Sequence, residues 1–157
     1  MNAADVLLAV LVLAVGAALA WRSRPVARVM LFGSTLLVSG LLFLPGDQIT
    51  GLVGDDAVQT LRRWARATPW SVSDWTHFVI FVWLGLLLWF GRSDLRGWKA
   101  WGLVAVLAVA AELAQGLAPG RDPQLEDVLL NLVGGVAGLL LGMGLRRAVA
   151  GNGTRTR

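Results

Sequence analysis

The stretch VLLNLVGGVAGLLLGMGL, residues 128–145, runs for 18 residues without a charge and with a single amide, Asn131. At 1.5 Å per residue such a helix is about 27 Å long, close to the roughly 30 Å hydrocarbon core of a bilayer. Within it Gly134, Gly138 and Gly142 recur every four residues, with Gly135 and Gly144 beside them. Small residues at this spacing let another helix backbone approach closely. The stretch therefore reads as a membrane span packed on a neighbouring span of the same chain. A homo-oligomer formed through Gly134, Gly138 and Gly142 is the alternative use of the stripe.

Working outward, four more apolar segments of 16 to 18 residues stand at 5–21, 29–44, 74–90 and 100–117. Composition agrees with them. The 157 residues are 56% hydrophobic and 15% charged, against roughly 25% charged in a soluble protein. This excludes a disordered chain and argues against a soluble globule. The net charge of +4 does not point to nucleic acid, because the basic residues sit in short clusters between apolar runs. With no cysteine there is no disulfide, thiolate nucleophile or thiolate metal site, and with no tyrosine there is no phenol. The fold expected is all-α: a polytopic bundle of about five transmembrane helices. It forms one domain over residues 1–150, followed by a disordered tail at 151–157.

Charge sets the orientation. The first segment has Asp5 before it and Arg22, Arg24 and Arg28 after it, the reverse of a secretory signal peptide. Together with Arg92, Arg96 and Lys99, and with Arg146, Arg147, Arg155 and Arg157, ten of the fourteen basic residues fall on one side of five spans. The positive-inside rule makes that side cytoplasmic, so the N-terminus is out and the C-terminus in. The long connection 45–73 is then external. In it Ala57, Val58, Leu61, Trp64, Ala65 and Thr68 fall at helical spacing, with Asp55 and Asp56 before and Arg62, Arg63 and Arg66 after. This predicts a short amphipathic helix lying on the outer surface.

Ionisable and amide side chains within a span are expensive, so the few present stand out. Asp74 and His77 are three apart at the outer start of the third span, Glu112 and Gln115 three apart near the outer end of the fourth, and Asp127 and Asn131 four apart at the start of the fifth. Arg121 lies between the last two spans. Each pair shares a helix face, and all seven lie in one slab at the outer boundary. Short connections make these spans neighbours, which predicts that the polar faces converge. Each residue also has a plainer reading. Asp74 and Asp127 stand where acids cap helices. His77 could bond a carbonyl, and Gln115 and Asn131 could serve interhelical hydrogen bonds. Glu112 must pair, with Arg121 or His77, or hold a proton.

The same residues resemble the VanZ-like family, which includes the teicoplanin-resistance membrane protein. One motif is Asp74-Trp75-Thr76-His77-Phe78, then Phe81 and Leu84-Gly85; the other is Glu112, Gln115, Pro119-Gly120-Arg121, Asp127, Asn131 and Gly134-Gly135. The match covers roughly residues 70–145. It departs at Trp75, where members often have Lys, and at Phe81, where they often have Tyr. The resemblance implies a multi-pass protein of the bacterial cytoplasmic membrane, linked in some members to resistance against lipid-anchored glycopeptides. It supplies no established reaction.

Two functions stay open. In an intramembrane enzyme acting on a lipid or lipid-linked envelope precursor, His77 is the general acid or base, oriented by Asp74, with Glu112 and Asp127 as further acids. Arg121 would hold an anionic group, and Gln115 and Asn131 would position substrate. In a non-catalytic envelope or resistance protein, the same cluster is a headgroup pocket or a structural lock. A transporter is disfavoured, since no inverted repeat or broken-helix pair is present. No phosphate-loop or dinucleotide motif calls for a cofactor. A metal on His77, Glu112 and Asp127 is conceivable, but one histidine and no cysteine give it no spacing support, and none is assigned.

Overall fold

The computed structural model describes residues 3–43, 51, 54–116 and 123–152. Among them are six helices and no strand: α1 (Ala3–Trp21), α2 (Pro25–Phe43), α3 (Asp55–Arg66), α4 (Val72–Gly91), α5 (Trp98–Gln115) and α6 (Leu125–Asn152), with a 3-10 turn at Ser93–Leu95. Local chemistry starts and stops them. Pro25 opens α2, where its missing N–H leaves no bond unmade. Gly97, at φ +71°, makes the turn into α5 that a side chain would resist. α3 carries Asp55 and Asp56 in its first turn and Arg63 and Arg66 in its last, so its charges complement the helix dipole.

α4, α5 and the stretch Leu125–Ala148 of α6 are long and apolar enough to cross a membrane, and α1 and α2 add shorter apolar stretches at Val10–Trp21 and Pro25–Leu36. Their outward faces are apolar as well: Val79, Val106, Val109, Leu113, Val133 and Leu140 are all exposed. Water would penalise such a surface, whereas lipid would not. α6 continues to Asn152, past the expected end of the span, and residues 153–157 lie outside the described part.

The order of packing differs from the expected one. The third and fourth segments, α4 and α5, are not the principal neighbours; α6 lies between them and makes its longest contact with α4. The glycine stripe explains this. A Cβ on Gly134 or Gly138 would fall on the carbonyl oxygens of Phe78 or Val82 in α4, and one on Gly142 would sit 2.7 Å from Trp89. Gly85 of α4 answers from the other side, against Gly135 and Gly138. On its adjacent face Gly135 takes Val104 of α5. A core of Leu88, Ala100, Val104 and Leu139 closes the three-helix contact. The stripe is thus filled by the chain's own α4 and α5.

α1 and α2 pair through Gly16 and Thr35, and join α4 through Ala20, Leu31 and Leu87. Trp83 Nε1 donates to Ser34 Oγ at 2.9 Å, and the Arg24 N–H to the Gly91 carbonyl at 3.2 Å. The basic residues at this end also bind backbone. Arg92, buried, donates to Leu19 O at 3.1 Å and grips both carboxylate oxygens of Asp94 at 2.9 and 2.8 Å. Arg28 donates to the carbonyls of Ala20, Trp21 and Ser23. These satisfy carbonyls that the end of α1 leaves open.

Candidate functional site

At the start of α4 the first of the expected site residues is committed elsewhere. Ser71 is the N-cap: its Oγ accepts from the Asp74 N–H at 3.2 Å, and Asp74 Oδ2 accepts from the Ser71 N–H at 2.7 Å. Asp74 therefore closes a capping box, the plainer of the two roles expected for it, and makes no hydrogen bond to His77 among the described residues. A cap of this kind contributes about 0.5–2 kcal/mol to helix stability. Trp70, Trp75 and Phe78 cluster around the same turn at centroid distances of 4.7–6.0 Å, and Trp75 Nε1 donates to Thr68 Oγ1 at 3.0 Å. This ties the end of α3 to the start of α4.

His77, one turn further on, is buried, and α6 meets both of its ring nitrogens. Nδ1 lies 3.1 Å from Oδ1 of Asn131, which is fully buried, and Nε2 lies 3.8 Å from Asp127 Oδ2. Asp127 and Asn131 are one helical turn apart and so present their side chains from one face. In the tautomer that donates from Nδ1 to the amide oxygen the Nε2 lone pair faces the carboxylate, and in the other tautomer the Nε2 proton does.

Glu112 enters from the last turn of α5 and is 3% exposed. Its Oε1 accepts from the backbone N–H of Gln124, just ahead of α6, at 2.7 Å. Among the described residues His77 is not its hydrogen-bond partner, and Arg121 lies outside them; the bond to the start of α6 uses one of the free donors at that helix end. Oε2 of Glu112 and Nδ2 of Asn131 are buried and, among the described residues, have no hydrogen-bond partner. One ligand-capable atom each from His77, Glu112 and Asp127 lie within 4.8 Å of one another.

Three helices thus deliver one imidazole, two carboxylates and an amide to one place, at the end of the bundle where α4 and α6 start and α5 ends. Of the seven expected residues four converge. Asp74 caps, Gln115 is half-buried at the end of α5 and outside these hydrogen bonds, and Arg121 is not described. Two carboxylates so close repel, so the cluster favours a cation placed among them. It also offers a histidine for proton transfer. At the same end an open groove of about 490 Å³ is lined by Arg62, Arg66, Thr68, Trp70 and Ser71 among others. The sequence signalled the amphipathic α3 but not this groove beside it.

Far from this site, around the turn after α4, the Arg92 guanidinium holds the Asp94 carboxyl down at about 2 and is itself raised by the same pairing.

A family model described as VanZ/LLP1 matches residues 6–146, most of the chain and well beyond the motif region. No curated protein and no solved structure matches.

Proposed function

This chain belongs to the VanZ/LLP1 family, and on that footing we propose that it acts on, or binds, the headgroup of a lipid or lipid-linked envelope molecule at the outer boundary of the bacterial cytoplasmic membrane. One observation carries the reading: a cluster of buried His77, Asn131 and Glu112 with half-buried Asp127, holding two polar atoms without a partner among the described residues, at one end of a bundle whose outer faces are apolar. Polar groups left open inside an apolar bundle cost free energy, and a ligand that completes them recovers it.

In this reading α1, α2, α4, α5 and α6 are the five spans, and the arginines around α1–α2 and α4–α5 face the cytoplasm. α3 lies on the outer leaflet, and its groove with Arg62 and Arg66 takes a headgroup phosphate. Arg121 is positioned by sequence to do the same. His77 then transfers a proton to or from the polar head, with Glu112 and Asp127 as the flanking acids. A contribution to teicoplanin resistance follows if the molecule handled is the one that anchors or receives the drug.

A non-catalytic lock is the second reading, favoured by the 2.7 Å bond from Gln124 to Glu112, which staples α5 to the start of α6. Native mass spectrometry separates the two. Wild type and Glu112→Gln are released from the same gentle detergent after exposure to a bacterial membrane-lipid extract. The headgroup reading expects a lipid species held by wild type and depleted in the variant. Identical lipid profiles from two equally folded proteins would leave only the lock.

A further inference from the structure

We infer that His77, Glu112 and Asp127 form a binding site for one divalent transition-metal cation of the zinc class. The inference deepens the headgroup-binding part of the reading above and rests on the same cluster; with a metal in place the three side chains are ligands, and the metal takes the place of proton transfer by His77.

Three observations lead there. The ligand-capable atoms come from three separate helices, yet lie within 4.8 Å of one another. Donors on a tetrahedral zinc stand roughly 3–3.5 Å apart, as bond lengths of about 2.0–2.2 Å require. The 3.8 Å between His77 Nε2 and Asp127 Oδ2 is too long for a hydrogen bond and close to that edge. A shift of well under 1 Å at that edge would complete it.

The histidine is also prepared as a metal ligand. Asn131 Oδ1 faces Nδ1 at 3.1 Å, and in the tautomer that donates there the Nε2 lone pair is left toward Asp127. A ligating histidine needs such an outer partner to fix its tautomer and orientation. Without a cation, that lone pair faces carboxylate oxygens, which is electrostatically unfavourable.

Finally, the Glu112 carboxylate is divided in function. Oε1 is held by the Gln124 N–H at 2.7 Å, which fixes its rotation, while Oε2 is buried with no partner among the described residues. An anionic oxygen in that position calls for a positive ligand. Two carboxylates and one neutral imidazole sum to a charge of −2, which a dication balances. The imidazole favours zinc-class metals over magnesium or calcium, which prefer all-oxygen sites. Three protein ligands leave a fourth position open, as in catalytic rather than structural zinc sites. A phosphate oxygen of a headgroup could fill it. The metal thereby resolves a difficulty of the headgroup reading, since two carboxylates alone repel an anion.

The test uses full-length, tag-free protein in detergent, stripped with a chelator and titrated with zinc and, for its absorption bands, with cobalt(II). The expected result is one zinc per chain by elemental analysis and cobalt bands of a four- or five-coordinate site. Glu112→Gln and Asp127→Asn, which keep shape, should each weaken binding at least 100-fold, and Asp74→Asn should leave it unchanged. Melting of the metal-free variants establishes that they are folded. No stoichiometric binding by wild type, or binding undiminished in both folded variants, would overturn the site. Lipid retention by the stripped wild-type protein reports separately on the headgroup reading, so the metal can fail while that reading stands.

Discussion

Replacing Gly138 by alanine puts one methyl group into the tightest part of the α4–α6 seam. The new Cβ would collide with the Val82 carbonyl oxygen and lie 2.9 Å from the Val82 carbonyl carbon and 3.0 Å from the Leu86 nitrogen. All three are backbone atoms, so no rotamer change relieves the contact and the helices must separate. Overpacking of this kind costs about 1–3 kcal/mol. The same substitution also improves helix propensity by about 0.5–1 kcal/mol, which blurs a single measurement. Gly144 supplies the reference: it lies six residues further along α6, and a Cβ there meets nothing within 4 Å. Gly144→Ala carries the propensity gain without the clash, so the difference between the two variants isolates the seam. For a chain of this size, 1 kcal/mol moves Tm by about 2–4 °C, so Gly138→Ala should melt about 2–12 °C below Gly144→Ala. Differential scanning fluorimetry in a mild detergent reads this directly, with the eight tryptophans as reporters. Equal melting of the two variants would mean that α4 does not lie on the stripe. A change of oligomeric state in Gly138→Ala alone would move the stripe to an interface between copies.

Three further outcomes follow from named contacts. Glu112→Gln should leave Tm unchanged or raise it in metal-free protein: the side-chain oxygen still accepts from Gln124, and a buried like charge near Asp127 is gone. A clear fall would make Glu112 a structural ion partner. Arg92→Ala should lower stability by about 0.5–1.5 kcal/mol, because it removes one of the two donors to the Leu19 carbonyl, Ser23 Oγ at 2.7 Å being the other. The folded Asp94 carboxyl titrates at about 2 and the unfolded one at 3.8, so its contribution is full above pH 4 and fades as pH falls toward 2. Asp94→Asn should remove that part of the acid dependence, seen in pH-resolved melting, and an unaltered profile would count against the pairing. Since the chain has no cysteine, single replacements report topology: an impermeant thiol reagent on intact cells should label Ser73→Cys and should reach Ser93→Cys only after permeabilisation. The opposite pattern would invert the orientation.

Much of this was legible in the sequence. The helices at 72–91, 98–115 and 125–152 follow from apolar runs bounded by charges, and the glycine spacing marked the face of α6 that is buried. The amphipathic helix at Asp55–Arg66 followed from its periodicity. Neighbourhood was not legible. Helices that are apolar all round carry no mark of which face meets which partner, so the sequence did not show that α6 lies between α4 and α5. The pairing of His77 with Asn131, 54 residues away, depends on that order. Asp74 was open to a better reading, because Ser71 three residues earlier completes the capping-box pattern. Glu112 was recognised as an acid in need of a partner, and the partner among the described residues is a backbone N–H, which residue types cannot reveal. The arginines near α1 and α4 were read as topology signals alone, and their bonds to helix-end carbonyls depend on the turn geometry.

The central claim is that α4, α5 and α6 assemble one cluster around His77 and that Asn131 sets its tautomer. The chain has one histidine, so nitrogen-15 NMR of the imidazole in tag-free protein reads that cluster without ambiguity. At a pH where the ring is neutral, the account expects the proton on Nδ1, facing Asn131. It also expects the Nε2 signal to move on adding zinc and in Asp127→Asn. A ring protonated on Nε2, with shifts indifferent to Asn131→Ala, Asp127→Asn and zinc alike, would contradict it.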